Sequence, residues 1–211
     1  MFWYHEEVER LERKEVLPKG EKLRVLFYGS SSIRLWPNLE EDFSELDIIN
    51  QGFGGSTLAA CCWFFKRLVP QYKPDIIVFY GGDNDLGDGR HPEEVFIFFK
   101  EIMGLIKEFC GDIPVGFISV KPSFNREYLL NSIDYTNKII GEEITDRYPN
   151  CQMIDVYTEM YAINKVSGEL FESDGLHMTE VGYDIWRTAV KEQFLNRFIS
   201  ESFPIDKTPK I

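Results

Sequence analysis

The chain predicts an α/β protein, a three-layer α/β/α sandwich around a five-stranded parallel sheet. Three observations carry this reading. Short apolar runs alternate with longer segments of helical period along the 211 residues. The short runs are continuously apolar and not alternating, as expected of strands buried on both faces. The glycine-marked polar loops fall after strands, where open α/β sheets bind their ligands.

Each element has its own sequence signal. Residues 2–15 carry a helical pattern (Phe2, Tyr4/His5, Val8, Leu11, Val16) that Pro18-Lys19-Gly20 stops. Leu23 to Tyr28 reads as the first strand and Asp47 to Asn50 as the second, with a helix from about Thr57 to Val69. Asp75 to Tyr80 is the third strand. Pro92 opens a helix whose apolar residues Val95, Phe98/Phe99, Ile102, Leu105/Ile106 and Phe109 keep a 3.6 spacing. Pro114 to Val120 is the fourth strand, about 127–147 a helix, Cys151 to Val156 the fifth strand, and about 179–198 the last helix. Neither repeat nor linker interrupts the pattern, so one domain is expected over 1–211, with an amino-terminal helical segment (1–20) and an extended tail (200–211) holding Pro204 and Pro209.

The 35 acidic against 23 basic side chains give a net charge of −12, which repels phosphate backbones and anionic lipid. No nucleic-acid partner and no stable membrane association are expected. The acidic start Met1-Phe2-Trp3-Tyr4-His5-Glu6-Glu7 is unlike a secretory signal, and no apolar run approaches the ~20 residues that span a bilayer. The four cysteines, at 61, 62, 110 and 151, read as free thiols. A cytoplasmic location is expected.

Four loops hold the chemistry. Ser30, Ser31 and Ser32 follow the first strand; they offer hydroxyl nucleophiles, and equally a helix cap or phosphate site. Asn50-Gln51-Gly52-Phe53-Gly54-Gly55 half-resembles a dinucleotide fingerprint, but Thr57 stands in the third glycine's place; the same glycines can point an N–H at an oxyanion. In Gly81-Gly82-Asp83-Asn84-Asp85, Asn84 offers an amide donor or a turn, and the two carboxylates read as loop-ordering groups. Asp174-Gly175-Leu176-His177 pairs a carboxylate with an imidazole, yet Asp88-Gly89-Arg90-His91 has the same form, and spacing only modestly prefers the former. Neither a His-Glu-x-x-His motif nor a His/Cys cluster occurs, so no metal and no cofactor are expected.

Taken in order, these blocks resemble the SGNH (GDSL-like) hydrolase family from about residue 24 to 190. The family's Gly-Asp-Ser block corresponds to Gly29-Ser30-Ser31, with Ser30 in place of the aspartate, as in the variant run Gly-Ser-Ser-Ser-Ile-Arg-Leu-Trp over 29–36. The resemblance implies a flavodoxin-like sandwich and makes Ser31 the nucleophile, with Ser32 the fallback. It implies Asp174 and His177 as acid and base, in preference to His91. The oxyanion donors it implies are the Ser31 and Gly55 N–H groups and the Asn84 side chain. Arg34, Asn50, Asp83 and Lys121 are candidate substrate contacts, although Lys121 reads equally as an exposed cation; Trp36 and the Trp63-Phe64-Phe65 cluster read as packing.

The expected partner is a small-molecule ester, with an O-acetylated carbohydrate favoured by family analogy. Lysophospholipid or thioester hydrolysis and acyl transfer would use the same residues. The alternative of another class is a non-catalytic phosphate- or nucleotide-binding module of flavodoxin-like fold.

Overall fold

A computed structural model describes residues 2–164 and 168–202. The five strands are β1 (Arg24–Gly29), β2 (Asp47–Gly52), β3 (Ile76–Tyr80), β4 (Val115–Ile118) and β5 (Cys151–Ile154). All pairings are parallel and the order is β2-β1-β3-β4-β5. In this flavodoxin-like order the chain steps from β1 outward to β2 and then returns past β1 to β3. The loops after β1 and β3 therefore diverge and leave a crevice at the carboxyl edge of the sheet. The register places Gly29 level with Gly52 on one side and with Tyr80 on the other, so three loops leave the sheet together.

The helices are α1 (His5–Glu12), α2 (Ser31–Arg34), α3 (Leu39–Asp42), α4 (Leu58–Leu68), α5 (Asp83–Gly87), α6 (Pro92–Cys110), α7 (Leu130–Arg147), α8 (Tyr157–Asn164), α9 (Glu180–Ala189) and α10 (Asn196–Ser202). A π-helical turn, Val190–Leu195, joins α9 to α10. Successive strand residues face opposite sides. Leu26, Tyr28, Ile77, Phe79 and Phe117 point into a core closed by α1, α4, α6 and α7. Val25, Phe27, Val78, Tyr80 and Ile154 point into a second core closed by α2, α3 and α9, where Trp36 packs against Phe27, Phe43 and Trp186.

All five expected strands and the long helices are present. The first helix ends at Glu12, earlier than its apolar pattern, and Val16 lies beyond it at the surface. The helix expected from about Glu127 starts as a 3-10 segment (Phe124–Leu129) and becomes α-helical at Leu130. The last helical run continues to Ser202; the rest of the expected extended tail, 203–211, lies outside the described residues. Phe64 and Phe65 are buried, whereas Trp63 is exposed.

Candidate active site

The first loop is built by a close approach. Gly29 has φ +136°, and a Cβ there would lie 1.9 Å from the Tyr80 carbonyl oxygen, so only glycine allows β1 and β3 to end this near each other. The Ser30 N–H then donates to that same carbonyl at 3.2 Å. The chain turns at once into α2, whose first residue is Ser31. The N–H groups of a first helical turn have no intrahelical acceptor. The side chains of Ser30 and Ser32 are buried, and the Ser30 Oγ has no hydrogen-bond partner among the described residues. Ser31 is the serine of the three that faces an imidazole: its Oγ lies 3.2 Å from His177 Nε2.

The imidazole is held by its own loop. An isolated antiparallel bridge between Phe171 and Met178 closes the segment, and Glu172 N–H donates to the His177 carbonyl at 2.8 Å. Gly175, at φ +66°, turns the chain inside that closure. The Asp174 Oδ1 accepts from the backbone N–H groups of Leu176 and His177, both at 2.9 Å, which aims Oδ2 at His177 Nδ1, 2.5 Å away. The Leu176 N–H first, and then the His177 ring and N–H, pull the Asp174 carboxyl down to about 2. It is therefore a carboxylate at any ordinary pH. Tyr183 on α9 donates to the Ser32 carbonyl at 3.0 Å, so the element after the imidazole is tied directly to α2.

On the other side of Ser31 lie the glycine loop and α5. Gly52 packs on α2 so closely that a Cβ would sit 2.4 Å from Arg34 N, so the position requires glycine. Gly55 has φ +66° with open space above it, and its carbonyl accepts from the Tyr4 hydroxyl at 3.0 Å. Asn84 Nδ2 donates to the Ser56 carbonyl at 3.0 Å, leaving its second amide hydrogen uncommitted by that bond.

Beneath Asn84 is a buried ionic group. Lys121 Nζ lies 3.2 Å and Arg126 Nη1 3.0 Å from the same Asp83 oxygen. Burial works against the Asp83 charge, but Lys121 and Arg126 outweigh it and hold the carboxyl below its usual range; burial likewise lowers the Lys121 ammonium.

The nine singled-out residues thus separate. Ser31 and Asn84, on the short helices α2 and α5, and Gly55, Asp174 and His177, on loops, are carried by segments at one edge of the sheet. Arg34 is exposed beside the glycine loop and within 3.4 Å of Glu7. Asn50 uses both ends of its amide on backbone, donating to Ile33 O and accepting from Gly52 N, and so braces the loop. Lys121 is 1% exposed and is no surface cation: the Asp83 carboxylate compensates a charge that could not otherwise be buried. Asp83 and Asp85 do order the loop, accepting from Asn84 N and Leu58 N. His91, the look-alike, is an exposed helix-entry residue whose N–H donates to Glu94; His5 is an exposed partner of Glu9.

The sequence reading passed over Asn125 and Arg126. Asn125 donates from its backbone to the Gly175 carbonyl (3.0 Å) and from its side chain to the Asp174 carbonyl (3.1 Å). The available signal was a pair of cations, Lys121 and Arg126, leaving a strand next to the one that presents Asp83. Beside His177 a cleft of about 490 Å³ is lined by Leu35, Pro37, Glu172, Met178, Glu180 and Tyr183.

Residues 27–185 match the family model described as GDSL-like Lipase/Acylhydrolase. The chain belongs to that family. It is accordingly a hydrolase acting on ester bonds. No curated protein sequence matches it. Among solved structures, a GDSL-like lipase from Bacteroides thetaiotaomicron is 23% identical, with a TM-score of 0.72 over 96% of this chain and 98% of that one. A lipase/acylhydrolase from Enterococcus faecalis is 22% identical, with a TM-score of 0.68 over 83% and 96%. An acetylxylan esterase from Geobacillus stearothermophilus is 15% identical, with a TM-score of 0.66 over 85% and 96%. At such identities the likenesses establish a shared fold. Among the described residues no helix is long and apolar enough to cross a membrane.

Proposed function

We propose that this GDSL-like hydrolase is a serine esterase that cleaves a small soluble carboxylic ester through an acyl-enzyme. The observation that carries the reading is the relay Asp174–His177–Ser31: a 2.5 Å contact from the carboxylate to the imidazole, and a 3.2 Å contact from the imidazole to a serine 146 positions away in the chain. His177 Nε2 takes the Ser31 proton as Oγ attacks the acyl carbon, and Asp174 stabilises the imidazolium. The oxyanion is held by the Ser31 N–H, the Gly55 N–H and the Asn84 amide. His177 returns the proton to the departing alcohol, and water repeats the sequence to release the acid. The reaction unit spans the whole sheet, in keeping with a single hydrolase domain.

O-acetylated carbohydrate is the favoured substrate class. Its support is the shared fold with an acetylxylan esterase and the cleft beside His177, where Glu172 and Glu180 offer hydrogen-bond acceptors for hydroxyls. Two measurements test the proposal. A fluorophosphonate probe should label the protein and fail to label Ser31→Ala; labelling that persists at Ser32 would refute the assignment. Acetyl esters should be turned over faster than C8 esters, and the reverse order removes the acetyl preference. Product analysis with a competing alcohol separates hydrolysis from acyl transfer.

A further inference from the structure

An asparagine amide can act on an oxyanion only if its nitrogen, and not its oxygen, faces the reacting carbonyl. The two ends are nearly equal in size, so something must choose between them. In this protein the chooser is visible. Arg126 Nη2 donates to Asn84 Oδ1 at 2.8 Å. A guanidinium has five donors and no acceptor, so the flipped amide would set N–H against N–H and lose the bond. The Ser56 carbonyl imposes the same choice from the other end, because it can only accept from Nδ2.

The guanidinium is itself fixed. Its Nη1 is ion-paired with Asp83 at 3.0 Å, and Lys121 pairs with the same carboxylate oxygen. Its plane lies against Gly87, where a Cβ would come within 2.9 Å of Arg126 Nε and Nη2, so the absence of a side chain on α5 makes the seat. The residue beside Arg126, Asn125, holds the loop of Asp174 and Gly175. One short segment after β4 thus touches both the acid end and the oxyanion end of the site.

We infer that Arg126 is a positioning residue for the ester-cleaving reaction: held by Asp83 and seated on Gly87, it locks the Asn84 amide with its nitrogen toward the developing oxyanion. The inference rests on the esterase reading above, and it assigns Arg126 no contact with substrate. The lock should matter more in the transition state than in the ground state, so it belongs to kcat and not to KM.

The test is a double-mutant cycle on p-nitrophenyl acetate with the full-length protein. Asn84→Ala should lower kcat by about 10²–10³-fold. Arg126→Lys keeps a cation for Asp83 but removes the planar donor pair, and should lower kcat by about 10-fold or more with KM changed less than about threefold. In the Asn84→Ala background the same change should have an effect below about twofold, because its object is gone. Gly87→Ala, which displaces the guanidinium without touching its charge, should reproduce the loss and serves if Arg126→Lys folds poorly. Equal losses in both backgrounds would mean a general structural role and overturn the inference, as would an unchanged kcat in both Arg126→Lys and Gly87→Ala. If Asn84→Ala is harmless, the amide has no role and the inference falls with it. Ser31→Ala is the control: if it keeps full turnover, the esterase reading itself is wrong, a different failure from that of Arg126.

Discussion

At the scale of single residues, the site depends on how each polar atom is denied alternatives. Asp174 is the clearest case. Two backbone N–H groups occupy one oxygen, and the other has His177 as its partner. With its carboxyl at about 2, Asp174 is already ionised well below the working range of an esterase. The acid limb of log kcat/KM should therefore fall with a slope of one above pH 4, reporting the base alone; a slope of two would show the carboxylate titrating with it. Asp174→Asn should cost on the order of 10³–10⁴-fold in kcat, since the imidazole then loses its tautomer control. Ser31, His177 and Asp174 were legible because hydroxyl, imidazole and carboxylate stand out as residue types and the family's blocks occur in order. Arg126 was not, since an arginine in a polar stretch carries no mark of what it faces. Lys121 was misread for a related reason: a lysine beside proline and serine looks solvated until its counter-charge, 38 positions away, is known.

At the scale of elements, strands and long helices were read correctly because continuous apolar runs and the 3.6 period are strong signals over their lengths. The short helices α2, α3 and α5 were missed, as was α8, because four to eight residues barely complete one or two turns of period. Two of them, α2 and α5, carry Ser31 and Asn84, so the functional loops are more ordered than their composition implies. The amino-terminal segment lies outside the family match yet is clasped to the site. Tyr4 packs on Phe53 and Phe64 and bonds the Gly55 carbonyl; Lys14 bonds the Asn50 carbonyl at 2.7 Å; Glu12 pairs with Arg67 of α4. Tyr4→Phe keeps the ring and removes the hydroxyl. It should lower stability by about 1 kcal/mol, hence Tm by roughly 2–4 °C. An unchanged melting temperature would show that the Gly55 carbonyl is equally well served by water.

At the scale of the whole molecule, the two cores leave few charges inside, and Asp85 is one of them. It accepts from Leu58 N at the start of α4 and lies 3.1 Å from Arg90. Burial nevertheless pushes its carboxyl up to about 6. A raised carboxyl binds its proton more tightly in the folded than in the unfolded chain, so its contribution to stability falls as pH rises from about 4 to 6 and stays lost above that. Two pH units correspond to about 3 kcal/mol as an upper bound. Asp85→Asn should therefore gain stability relative to wild type between pH 4 and 7, with the difference read by thermal melts across that range; parallel curves would contradict the linkage. The strand order could not be read from alternation alone, which fixes the layers but not which strand returns past the first. That return is what sets Gly29 beside Tyr80 and brings the crevice into being. The wide spacing of Ser31 and His177 along the chain also bears on biosynthesis. A ribosome releases Ser31 146 residues ahead of His177, so under the proposed mechanism a nascent polypeptide stays inert towards esters until the whole stretch between them has emerged.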